Sequence, residues 1–269
     1  MRCRRLGGGV AVAWLMLSWA SPAAAQIASR APEAADGQRG FMTRYRFYMG
    51  ASRLGAGDPR FVWDADFGGD LDLVDFGDGR ITVQANFEAI LGEQFRRFDP
   101  NQGNYLLGIS ASVRKGPAEV SAVFHHVSRH LSDRPKPFPI DWNMVGVRTS
   151  LHVEGERLTV GGEARALWTV TRSFVDYAAE VGGGLDLRYA FGPHAALIAH
   201  GDAYWLLVDQ GVSARDHQQG GRIEGGVRLS GSRGAVDLFV GYERRVDADP
   251  FEFLSHSWLL FGFRLLSAD

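Results

Sequence analysis

Two neighbouring stretches constrain the fold more than any other feature of the chain. Asp64, Asp66, Asp70 and Asp72 interleave with Trp63, Ala65, Phe67, Leu71 and Leu73, and Arg80, Thr82, Gln84, Asn86 and Glu88 interleave with Ile81, Val83, Ala85, Phe87 and Ala89. Strand side chains point alternately to opposite faces, so each stretch presents one apolar and one charged face. Both run well beyond the usual strand length of about five or six residues in soluble domains. The same alternation predicts strands over Arg44–Ala51, Asn104–Arg114, Ala118–Ser128, Trp142–Val153, Arg157–Val170, Asp176–Phe191, Ala195–Val208, Arg222–Ser230, Val236–Arg245 and Ser257–Leu266, twelve in all.

The connections alternate in length along nearly the whole chain. Tight turns stand at Gly77-Asp78-Gly79, Lys115-Gly116-Pro117, Glu154-Gly155-Glu156, Gly192-Pro193 and Gly231 to Gly234, with longer loops between them. Even strand number, short turns on one side and longer loops on the other are features of bacterial outer-membrane barrels. An antiparallel sheet in lipid must close, because an open edge would leave backbone groups without partners. The expected fold is therefore all-β: a closed antiparallel twelve-stranded transmembrane β-barrel in the bacterial outer membrane, with lipids and the barrel-assembly machinery as partners. Trp63, Phe67, Leu71, Val83, Phe87 and Val147 should face outward, and Asp64, Asp66, Asp70 and Glu88 inward. Trp63, Tyr105, Trp168, Tyr189, Phe191, Trp205 and Tyr242, near strand ends, fit interfacial girdles. Both charge signs fall on the inward phase, so the interior should be cross-braced by ion pairs and leave little bore.

Residues 1–25 read as a secretory signal peptide: Arg2, Arg4 and Arg5, an apolar run from Val10 to Trp19, and the small residues Ala23 to Ala25. The apolar run is about half the roughly 20 residues a spanning helix needs. Residues 26–40 read as a flexible leader and 41–269 as the barrel. The sole cysteine, Cys3, leaves with the signal, which removes disulfide and thiol chemistry. Without the three leading arginines, 26 basic residues face 31 acidic ones, a balance that gives no electrostatic case for nucleic acid.

Chemistry concentrates where the strand beginning at Ala118 meets its loop. Phe124, His126 and Ser128 share the apolar phase, so an imidazole and a hydroxyl lie on the lipid-facing side, roughly 6.6 Å apart along the backbone. Ser128 is the candidate nucleophile and His126 its base. Asn143 lies in the apolar phase of the next strand, and a pairing that sets Phe124 against Val145 also sets His126 against Asn143, which would orient the imidazole. His130 and Asp133 are secondary candidates. His152, His194 and His200 show no ligand spacing, and no phosphate-binding glycine motif leads into a helix.

His126-Val127-Ser128, Ser132-Asp133 and Trp142-Asn143 resemble outer-membrane phospholipase A, a twelve-stranded barrel with a lipid-facing serine hydrolase site in the order His, Ser, Asn. The resemblance covers only some eighteen residues, from His126 to Asn143, and the interval from His to Asn is longer than in that family. It departs at Arg129-His130, where that family has Asn-Gly, and in the loop carrying Pro135, Pro137 and Pro139. It implies an acyl hydrolase, admits calcium as a cofactor without supplying ligands here, and admits a homodimer. The His-x-Ser pair is also similar to lipid A deacylase barrels, which have eight strands. A broader resemblance, over roughly Asp58 to Tyr189, is to an uncharacterised family of bacterial outer-membrane barrels with a His-x-Ser-x-His-Leu-x-Asp pattern, matched by His126, Ser128, His130, Leu131 and Asp133. It implies the fold and no activity. Three functions are left open: a structural or unassigned barrel, a phospholipase- or deacylase-type serine hydrolase, and a small-solute pore.

Overall fold

The computed structural model describes residues 39–55, 57–132 and 138–267. The expected signal peptide, nearly all of the leader, and Asp133 lie outside the described residues. The chain forms twelve strands: β1 (Gly40–Leu54), β2 (Trp63–Asp75), β3 (Arg80–Gly92), β4 (Asp99–Lys115), β5 (Ala118–Leu131), β6 (Asp141–Glu154), β7 (Leu158–Ser173), β8 (Tyr177–Gly192), β9 (Ala195–Val208), β10 (Gln218–Ser230), β11 (Gly234–Asp249) and β12 (Leu254–Ser267). Each pairs antiparallel with its sequence neighbours, and β12 returns to β1 to close the barrel. Closure satisfies the backbone within the sheet, the condition that a hydrocarbon environment imposes.

The two faces follow the alternation. Leu259 is 70% exposed and Trp168 55%, whereas Glu243 and Asp237 on the inward phase are fully buried. Phe67 and Val147 are exposed, and Asp64, Asp70 and Glu88 are buried, as their phases require. Inside, arginines bridge strands. Arg245 lies 2.8 Å from Asp64, 3.0 Å from Glu88 and 2.7 Å from Glu243. Arg165 meets Glu163, Glu180 and Asp202 at 2.7–2.8 Å. Arg80, on β3, reaches Asp72 on β2 at 2.9 Å and Glu119 on β5 at 2.6 Å, passing over the intervening β4.

The long-loop half of the interior differs from the charged lumen expected. Leu106, Val127, Trp142, Met144, Tyr177, Tyr204 and Leu206 form an apolar cluster there, joined by the loop residues Ile140 and Val175 and by Val246 of β11. The β11–β12 ladder shifts register between Arg245 and Asp249, and the extra residues bulge into this end. Asp247 sits in the bulge at φ 47°. The Tyr177 hydroxyl donates to its carboxylate at 2.6 Å, Arg215 pairs with it at 2.9 Å, and Arg129 donates to its carbonyl at 2.6 Å. Arg129 and Gln102 also donate to the Ala248 carbonyl. The mouth is thus filled by packed side chains and pinned backbone. Two interior cavities of about 110 and 250 Å³ lie in the short-turn half, with Arg188 and Arg228 lining both.

Candidate active site

Val127 and Trp142 point inward into the apolar cluster, so their neighbours His126, Ser128 and Asn143 must point outward. The β5–β6 register pairs Phe124 with Val145, His126 with Asn143 and Ser128 with Asp141. On the other side, β4 sets Leu107 beside His126 and Tyr105 beside Ser128. Below this row, toward the middle of the barrel, Ile109, Phe124, Val145 and Val147 present an exposed apolar surface.

The polar side chains form two hydrogen-bonded groups. His126 Nδ1 is 3.0 Å from Asn143 Oδ1, and Asn143 Nδ2 donates to Thr171 Oγ1 at 2.6 Å. Because the Asn143 amide nitrogen is committed to Thr171, its oxygen faces the ring and must accept. The hydrogen of neutral His126 is then on Nδ1, and Nε2 keeps its lone pair, the tautomer a general base needs. Ser128 belongs to the second group: its Oγ is 3.0 Å from His130 Nε2. The His130 ring stands edge-on to Tyr105, with centroids 5.2 Å apart. Of the sequence candidates, the structure joins His126 to Asn143 and Ser128 to His130.

Thr171, Asp141 and Tyr105 were not marked as site residues by the sequence. Thr171 reaches Asn143 because the β6–β7 ladder shifts register between Asn143 and Met144, where Thr169 rather than Val170 faces Met144. A bulge of this kind re-aims a side chain, and no glycine or proline announces it. Asp141 shares the outward phase of Asn143, which was the available signal. Among the described residues, no group of three or more histidine, cysteine or carboxylate side chains could hold a metal ion. Beside Ser128 the paired position offers one carboxylate, Asp141; calcium takes roughly six to eight oxygens, from backbone carbonyls and water as well as carboxylates.

Closed antiparallel strands, an apolar outer belt and a charged interior define an outer-membrane β-barrel. Its fold is similar to the outer membrane phospholipase of Salmonella typhi, solved as a dimer with bound calcium: TM-score 0.51, 12% identity, covering 84% of this chain and 91% of that one. Outer membrane phospholipase A from Escherichia coli matches at TM-score 0.51 and 12% identity, over 85% of this chain and 98% of that one. An outer membrane channel from Pseudomonas putida F1 matches at TM-score 0.50 and 11% identity, over 83% and 93%. No family model and no curated protein sequence matches the chain.

Proposed function

We propose that the protein is an outer-membrane lipid acyl hydrolase with Ser128 as nucleophile, His126 as general base and Asn143 as the group that orients His126. The observation that carries this reading is the Thr171–Asn143–His126 chain, which fixes a basic Nε2 on the lipid-facing side of the strand that holds Ser128. An ester would lie at Ser128 with its acyl chain along Phe124 and Val145. The step requires the serine hydroxyl to turn from His130 toward His126 Nε2, which takes its proton as Oγ attacks the ester carbonyl. The protonated imidazole then gives that proton to the departing alcohol oxygen, leaving an acyl-serine. Water, deprotonated by the same nitrogen, releases the fatty acid and restores the hydroxyl. The active site of the E. coli phospholipase also includes an asparagine, whose replacement by alanine was made as an active-site mutant. The packed mouth argues against the pore reading.

The test is hydrolysis of a phospholipid with labelled acyl chains by purified protein in mixed micelles, together with labelling by a serine-reactive phosphonate. Wild type should release fatty acid and take the label at Ser128, and Ser128→Ala should do neither. Equal hydrolysis by the two proteins, or a silent wild type that takes no label, rejects the reading.

A further inference from the structure

On the opposite side of the barrel from Ser128, six strands round, the lipid-facing surface recedes into a groove of about 810 Å³ across β10, β11, β12 and the end of β1. Ile223, Val240, Leu259 and Phe261 line it, and all four are exposed. Gly225 makes the notch: a Cβ placed there would meet nothing within 4 Å, so the absent side chain leaves open space rather than relieving a clash. Arg53 closes the groove at its long-loop end.

Arg53 faces outward, because its neighbours Ser52 and Leu54 are buried inside. Its guanidinium lies over the Trp63 ring at 5.5 Å and 3.5 Å from Glu93. Arg244 is outward by the same logic, between buried Glu243 and Arg245, two residues beyond Tyr242 of the groove. It donates to the Gln219 carbonyl at 3.3 Å, and among the described residues no carboxylate lies within ion-pair distance of it. Toward the long loops from this apolar slot stand two guanidinium groups against one carboxylate: Arg53, opposite Phe261 at the groove's edge, and Arg244, further along β11 opposite Ser257. A protein or lipid that only filled the slot would leave this charge unanswered. A lipid matches both parts, with an acyl chain over Gly225 and an anionic phosphate at the arginines.

We infer that this groove is a binding site, separate from the Ser128 site, for a lipid with an anionic phosphate headgroup. The inference does not rest on the hydrolase reading, and the test uses a Ser128→Ala background so that no probe is consumed. The full chain in nonionic detergent is offered equal amounts of phosphatidylglycerol and phosphatidylcholine with identical acyl chains, and bound lipid is counted by native mass spectrometry. A preference of about two- to fivefold for phosphatidylglycerol is expected, the size of effect that partly exposed charge pairing gives. Arg53→Gln with Arg244→Gln should erase the preference while leaving chain binding. Gly225→Leu should lower retention of both lipids. Each variant is first shown by its heat-modifiable gel shift to be folded. Equal binding of the two lipids by the parent protein, or a preference that survives loss of both arginines, overturns the inference. So does a dimer that excludes lipid and is broken by Gly225→Leu, which would make the groove an interface between copies.

Discussion

Ser128 lies between two imidazoles on its own strand face, and the hydrogen bonds around them give them different tasks. His126 is held as an Nδ1–H tautomer by Asn143, whereas His130 holds the resting hydroxyl. His126→Ala should therefore abolish lipid hydrolysis, while His130→Ala should retain it; the reverse pattern in the micelle assay would make His130 the base. Thr171→Val removes the bond that fixes the Asn143 amide. Turnover should fall about two- to tenfold with little change in KM, since a neutral hydrogen bond contributes roughly 0.5–1.5 kcal/mol. At this scale, the sequence shows by phase alone that His126 can meet Asn143. The partner of Ser128 was not legible, because His126 and His130 are equally spaced from it and the side-chain torsion decides between them. Thr171 was hidden by a bulge that strand alternation does not record.

Strands cross-braced by buried arginines should fail in a particular way when one partner is lost. Arg80 is fully buried between Asp72 and Glu119, and Asp72 keeps Arg44 at 2.9 Å, so Arg80→Ala leaves the Glu119 carboxylate unanswered at a cost of roughly 3–5 kcal/mol. Urea titration in detergent should show an earlier midpoint, and replacing all three residues by apolar ones of similar volume should recover most of it; no recovery would mean that the network contributes more than charge balance. Between β1 and β2, Arg60 clamps Asp58 at 2.7 Å and reaches Asp249 and Glu252. The Arg60 hydrogen bond holds the Asp58 carboxyl below its ordinary 3.8. A carboxylate depressed by folding stabilises above its unfolded value, and that stabilisation disappears as pH falls through the depressed one. Protection of the 57–62 backbone from hydrogen exchange should therefore persist at pH 5 and fade only below about 3.8. The strands themselves were legible as elements, but their ends were not: β4 begins at Asp99 rather than Asn104, because Pro100 and Gly103 interrupt the alternation while the ladder continues past them.

For the whole molecule, closure and strand number follow from loop lengths and the need to pair every edge, and both were readable before the structure. The interior was half readable. Charges on the inward phase announce the ion pairs, but period two only sorts faces, and it does not say that Leu106, Trp142 and Leu206 meet across the barrel. Their signal was local: Tyr105-Leu106-Leu107 and Trp205-Leu206-Leu207 are apolar on both faces near the long-loop end. With that end packed, planar bilayers containing the protein should show no steady single-channel steps, and stepwise conductance in wild type would mean that the bulge at Asp247 does not seal the mouth. The same packing bears on chemistry at the outer wall. Lipid tails are fluid and cannot hold a catalytic side chain still, so stiffness must come from behind. Val127, Trp142 and Met144 alternate with His126, Ser128 and Asn143 on the same strands and are buried in a close-packed cluster. For the proposed hydrolase the plug is in effect an anvil: loosening it by Trp142→Ala would leave His126, Ser128 and Asn143 in place, but let their alignment wander with temperature.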